Sequence, residues 1–365
     1  MTRHTHTDSP TWGTPRRLSR RARRTITVLS AVLAVALVIS IITSASPWAS
    51  SMLIRAVFEK GGRDTVAEML PYVPPSGIAE TLDVQYGDGT AGAATTLDAF
   101  RPESANGPLP TVVWIHGGAW ISGDKSNVAP YLKILAAEGY TTIGLNYSIA
   151  PESIYPTAIF QLNDALAYIN EHAAELGVDA DQIVLAGDSA GAQLASELAG
   201  ITTNPSYATV VGIDPALSPT QLVGTILNCG VYDLQRMSEL NGIEAWGFKI
   251  SLWAYTGTKD WSDTSAGATM SSLGFVTSEF PPTYISGGNA DGLTPTQSRA
   301  MAERLGDLGV EVTSLFWEED HSVQLPHEYQ FHLDLPDAHV NLQRTFEWLE
   351  RIAPRVDTAT PGDKR

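Results

Sequence analysis

The residues best suited to chemistry are Gly187-Asp188-Ser189-Ala190-Gly191, which follow the apolar run QIVLA and open the helical run AGAQLASELAG. A serine hydroxyl becomes a nucleophile only when an imidazole takes its proton and a carboxylate fixes that imidazole's tautomer. A G-x-S-x-G turn between strand and helix lifts the serine above the sheet edge, with glycines where a β-carbon would obstruct the bend. The plainer role for Ser189 is a helix N-cap. It is outweighed by a second motif at the place the first requires.

That motif is His116-Gly117-Gly118-Ala119-Trp120, directly after the apolar run PTVVWI. Acyl transfer places negative charge on the former carbonyl oxygen, and backbone N–H groups aimed at it stabilise that charge. Gly117 and Gly118 are the expected donors from this loop, with Ala190 supplying the other. His116 reads as a brace for the loop. The acid and base should follow the serine in the chain. Asp291 lies between the strand-like TYISGG and the helical TPTQSRAMAERL, where its simpler role is a cap or turn. Of the last four histidines, His339 falls inside the final helical run and His332 just before it. His321 and His327 remain nearly tied on spacing. Trp120, Trp246, Trp253 and Trp261 are candidate walls of an apolar substrate pocket, although tryptophans also simply pack. No H-E-x-x-H or comparable ligand spacing is present, so neither a metal nor a cofactor is expected.

These motifs need a scaffold. Short β-type runs (ETLDVQY, TTLDAF, PTVVWI) give way to apolar strands alternating with helical patterns. Strands such as IVLA are apolar on both faces, as in a parallel sheet covered by helices. The class is therefore α/β, with a mostly parallel sheet and an antiparallel pair at its start. Residues 202–220 and 233–280 fit the alternation poorly and read as inserted lid segments.

The 365 residues carry 23 basic and 40 acidic side chains, yet seven of the basic ones and a single acid precede Pro47. The remainder is too acidic for a nucleic-acid partner. One cysteine, Cys229, excludes an internal disulfide. Residues 25–46 form an uncharged run of 22, long enough for a bilayer core, behind an arginine-rich segment. The positive flank predicts a cytoplasmic N-terminus and an extracytoplasmic body. The competing readings are a cleaved signal peptide, giving a secreted protein, and a twin-arginine export signal at Arg16-Arg17. The expected organisation is a basic N-terminus (1–24), a transmembrane signal anchor (25–46), a spacer or cap (47–78), a catalytic domain (79–353) and a disordered tail (354–365).

From about Glu80 to Ile352 the chain resembles the hormone-sensitive-lipase-like and carboxylesterase branch of the α/β-hydrolase superfamily. His116 to Trp120 resembles that branch's HGGG loop, and Gly187 to Gly191 its GDSAG elbow. Asn146 to Glu152 with Tyr155-Pro156 resembles its YRLAPE segment, and Asp291-Gly292-Leu293 its DPL turn. Ala119, Ser148 and Gly292 depart from the pattern without removing a reacting group. Ala119 and the following Ile121 to Lys125 are closer to feruloyl-esterase-like and arylformamidase-like relatives. The resemblance implies an α/β-hydrolase fold and a serine carboxylesterase acting on a small-molecule ester. It favours His327 as the base, with His321 the alternative, because an aromatic segment and the last helix follow it. An amidase, formamidase or peptidase with the same triad, and a catalytically silent binding ectodomain, are the competing expectations.

Overall fold

The computed structural model describes residues 19–87, 92–240 and 242–355. Residues 1–18, with Arg16-Arg17 and most of the basic N-terminus, lie outside the described residues, as does the tail from 356 onward. The chain divides at Ala49/Ser50. Before the division, helix α1 (Arg20–Ala45) exposes apolar side chains from Ile26 and Val28 to Ile41 and Ile42. Arg23–Ala45 is long and apolar enough to cross a membrane. Helix α2 (Trp48–Met69) follows in the chain after two intervening residues, Ser46 and Pro47.

The body is built on an eight-stranded sheet: β1 (Ile78–Gln85), β2 (Thr96–Pro102), β3 (Leu109–Ile115), β4 (Thr141–Leu145), β5 (Val178–Asp188), β6 (Leu222–Asn228), β7 (Thr283–Gly287) and β8 (Val312–Phe316), in the order β1-β2-β4-β3-β5-β6-β7-β8. The expected antiparallel start is present: β1 pairs antiparallel with β2, and β2 with β4. All later pairings are parallel, for example Ile115↔Gly187 between β3 and β5 and Gly187↔Leu227 between β5 and β6. Strands β3 and β4 are buried along their whole length. Helices therefore cover both faces, and apolar cores form on each side of the sheet.

Helix α3 (Lys125–Ala137) starts at a capping box, in which Asp124 accepts from Ser126 N–H and Asn127 returns a bond to the Asp124 backbone. Its first residue, the buried Lys125, bridges Asp98 and Asp83 at 2.7 Å each and so ties the helix to β2 and β1. Helix α4 (Thr157–Glu171) and the short α5 (Ala173–Leu176) lead into β5, and α6 (Ala190–Thr203) leaves it with every residue buried. The sharp turn between β5 and α6 brings the first set of candidate residues to the carboxyl edge of the sheet.

Candidate active site

Ser189 occupies that turn with φ 50° and ψ −118°, a strained conformation for a residue with a β-carbon. Its N–H donates to the Asn228 carbonyl at 2.9 Å, which fixes the turn against the end of β6. Gly191 must be glycine, since a Cβ there would collide with the Ile115 and His116 carbonyls of the neighbouring strand end. The hydroxyl of Ser189 lies 2.8 Å from His327 Nε2, and His327 Nδ1 lies 2.9 Å from Asp291 Oδ2. Asp291 also accepts the Leu293 N–H at 2.9 Å through its other oxygen, so it serves the turn as well as the imidazole. Asp291 is buried, whereas the His327 side chain keeps 32% of its surface open to a cleft.

Of the two histidines left tied by spacing, the structure brings His327 to Ser189. His321 instead faces Asp337 at 3.2 Å and packs on the Trp317 ring, and it does not line the Ser189 cleft. His116 is buried, stacks on Tyr147 and places Nδ1 2.7 Å from the Gly117 carbonyl, a bracing position.

Gly117 requires a correction. Its N–H donates to Asp188 Oδ2 at 2.8 Å and is not free for an oxyanion. Asp188 also accepts the Trp114 indole N–H at 2.7 Å, so the residue before Ser189 clamps the loop from β3. The N–H groups of Gly118, Ala119 and Ala190 have no acceptor among the described residues. Positive φ at Gly118 (108°) and Ala119 (52°) turns this stretch of backbone. Ala119 was missed in the sequence, because its β-carbon makes it look like a lapse from the glycine motif rather than a donor.

Trp120 also departs from expectation: it is fully buried, donates to Gln193 and stacks on Tyr255 away from the cleft. Trp253 and Trp261 are buried elsewhere, Trp246 is exposed, and none lines the Ser189 cleft. The cleft holds about 460 Å³, and its apolar walls include Phe58, Phe248, Phe331, Val57 and Val128. Seven lining residues come from α2, the stretch read as a spacer or cap. Among the described residues, Phe248 alone represents the expected lid segment 233–280, and nothing from 202–220 reaches the cleft.

Sequence reasoning also overlooked Glu328. It adopts the left-handed conformation (φ 60°), donates its N–H to the Cys229 sulfur at 3.3 Å, and sets a carboxyl oxygen 3.8 Å from His327 Nε2. Its carboxyl hydrogen-bonds that of Asp188. Burial and then the neighbouring Asp188 push the Glu328 acid up to about 8. Burial alone would lower the His327 pKa, but the charge and hydrogen bond of Asp291, reinforced by Glu328 and Asp188, outweigh it and hold the imidazole up to about 9.

Comparison with known proteins places the chain. The BD-FAE family model matches residues 97–305, which contain Ser189, Asp291 and the loop after β3. The chain belongs to the BD-FAE family. The chain is 30% identical over 259 residues to Esterase LipQ of Mycobacterium tuberculosis, covering 67% of this chain and 58% of LipQ. It is 29% identical over 239 residues to the probable carboxylic ester hydrolase LipM of the same organism, covering 61% of this chain and 51% of LipM. The match thus spans little more than half the length of these curated relatives. Esterase B of Lactobacillus rhamnosis superimposes with a TM-score of 0.70 at 23% identity, over 84% of this chain and 96% of that one. The BD-FAE chain described here therefore has the α/β-hydrolase fold.

Proposed function

We propose that this BD-FAE protein is a serine carboxylesterase in which Ser189 attacks the ester carbonyl. His327 takes the hydroxyl proton and returns it to the leaving alcohol, and Asp291 orients the imidazole and offsets its charge. The N–H groups of Gly118, Ala119 and Ala190 receive the oxyanion, each such donor stabilising the transition state by about 3 kcal/mol. Water then releases the acid from the acyl-enzyme, with His327 as base again. The observation that carries this reading is the unbroken chain from the Ser189 hydroxyl through His327 to Asp291, at 2.8 and 2.9 Å. The esterase names of the relatives support the same reaction class.

The same reading extends to the organisation of the chain. Residues 25–46 act as a signal anchor, the arginine-rich flank stays cytoplasmic, and the domain 79–353 works outside the membrane. The exposed apolar surface of α1 supports this.

A fluorophosphonate probe tests the chemistry, since only an activated serine reacts with it quickly. The native protein should label and Ser189→Ala should not. Equal labelling of both would exclude Ser189 as the nucleophile, and an inert native protein would favour the silent ectodomain. A panel of 4-nitrophenyl esters beside formyl-aryl amides separates an esterase from an amidase.

A further inference from the structure

Helix α2 carries two adjacent glycines, Gly61 and Gly62, near the middle of its 22 residues. Glycine inside a helix is unfavourable relative to alanine, so a pair there needs a local reason. Gly62 has one in packing: a Cβ would come within 3.2 Å of the Asn127 amide, at the start of α3. Gly61 has none, because a Cβ there would meet nothing within 4 Å. Yet Gly61 sits on the helix face that turns toward the body. Ile54, Phe58, Gly61, Thr65 and Glu68 follow the 3–4 spacing that places them in one line. Ile54 is buried against the body at one end of this line, and Glu68 pairs with His332 at 2.6 Å at the other. Between those two attachments the line passes over the Ser189 cleft, which Phe58, Gly61, Thr65 and Glu68 all line. Arg55 adds a further hold, bonding the carbonyls of Ile121 and Ala150 and the Glu152 carboxylate. The roof is thus fixed at both ends and has a missing side chain above the cavity.

We propose that Gly61 is the size-determining position of this site: its absent side chain admits an ester limb bulkier than acetyl beneath the roof helix, and the walls select limbs without negative charge. This rests on the esterase reading above. The charge preference follows from the lining, which holds Asp64, Glu68 and Asp188 and, among the described residues, no lysine or arginine, while its histidines His327 and His332 already face Asp291 and Glu68. The apolar counterpart is Phe58, Phe248 and Phe331. A leucine at 61 would extend from the roof into the same space.

The test uses the full-length protein and its Gly61→Ala, Gly61→Leu and Gly62→Ala forms. Each is assayed on 4-nitrophenyl acetate, hexanoate, octanoate and the adipate half-ester, alongside fluorophosphonate labelling and thermal unfolding. Gly61→Leu should reduce the octanoate-to-acetate ratio of kcat/KM by about 10-fold or more, as expected for lost space at a hydrophobic pocket. Gly61→Ala should raise Tm by about 2 °C while lowering the same ratio, so that stability and bulky-ester turnover move in opposite directions. Wild type should prefer hexanoate to the adipate half-ester, which adds a carboxylate at the chain end, by about 10-fold or more. An unchanged acyl-length ratio in both Gly61 forms, or equal turnover of the charged and uncharged esters, would overturn the assignment. A native protein that labels yet fails these comparisons sinks only this inference. One that neither labels nor turns over any ester removes the esterase reading with it.

Discussion

Gly117 donates its backbone N–H to the carboxylate of Asp188 at 2.8 Å, so the residue preceding Ser189 in sequence holds the loop that faces it across the cleft. Elbow and loop arrive from adjacent parallel strands, β5 and β3, and this bond sets their spacing. Asp188 receives a second donor from Trp114, so both of its oxygens are occupied before Glu328 approaches.

Asp188→Asn should therefore cost both stability and activity. An amide oxygen serves one of the two donors, while its NH₂ group faces the other, leaving a buried N–H unsatisfied at about 1–3 kcal/mol. Urea unfolding should show that loss, and kcat should fall as the loop drifts. Unchanged values of both would mean that Asp188 does not fix the loop.

His327→Ala should reduce kcat/KM by about a thousandfold or more, because Ser189 then has no base. His321→Ala should stay within a few-fold of wild type, since that ring serves Asp337 and Trp317. Steady-state kinetics on one activated ester decides between them, and the reverse ranking would reinstate His321.

With His327 held up to about 9, the resting imidazole carries a proton at neutral pH, and kcat/KM should climb with pH through a midpoint near 9 and level off about one unit above it. Glu328, with its acid at about 8, is ionised where His327 titrates, so Glu328→Gln removes one of the negative charges that raise this pKa. The midpoint of the rise should move to lower pH by about one unit. A pH–rate profile that is superimposable on wild type would show that Glu328 does not act on His327.

Glu197 is fully buried in α6, accepting from Tyr155 at 2.6 Å and Gln193 at 2.7 Å, and burial raises its pKa to about 7. Its folded pKa exceeds the unfolded one, so the native state holds the extra proton between about pH 4.5 and 7. Stability should fall across that window as pH rises, by about 3 kcal/mol in all. Glu197→Gln should flatten the slope in urea titrations at several pH values. A slope unaltered by the substitution would assign it to other groups.

The anchor reading predicts that the full-length protein stays with membranes through alkaline carbonate washing, and that protease added to intact cells digests the body. A soluble product whose N-terminus begins near residue 47 would instead establish a cleaved signal.

Much of this molecule was legible in one dimension because local rules wrote it. Apolarity on both faces marked the parallel strands, and the glycines around Ser189 reported a turn too sharp for β-carbons. Loop order after the last strands pointed to Asp291, which lies 2.9 Å from the His327 imidazole, but spacing left His321 and His327 unresolved. Only the fold separates them: six residues apart, one reaches Asp291 and the other Asp337. Side-chain direction was equally invisible, which is why Trp120 was expected in the cleft and lies in the core, and why Gly117 was expected to be free and is bound. Glu328 gave no signal at all, since its meeting with Asp188 joins positions 140 residues apart. The roof over the cleft is of the same kind. Sequence marked residues 47–78 as a spacer or cap, but packing through Ile54, Arg55 and Glu68 decided that helix α2 lies there and which face of it looks down on Ser189.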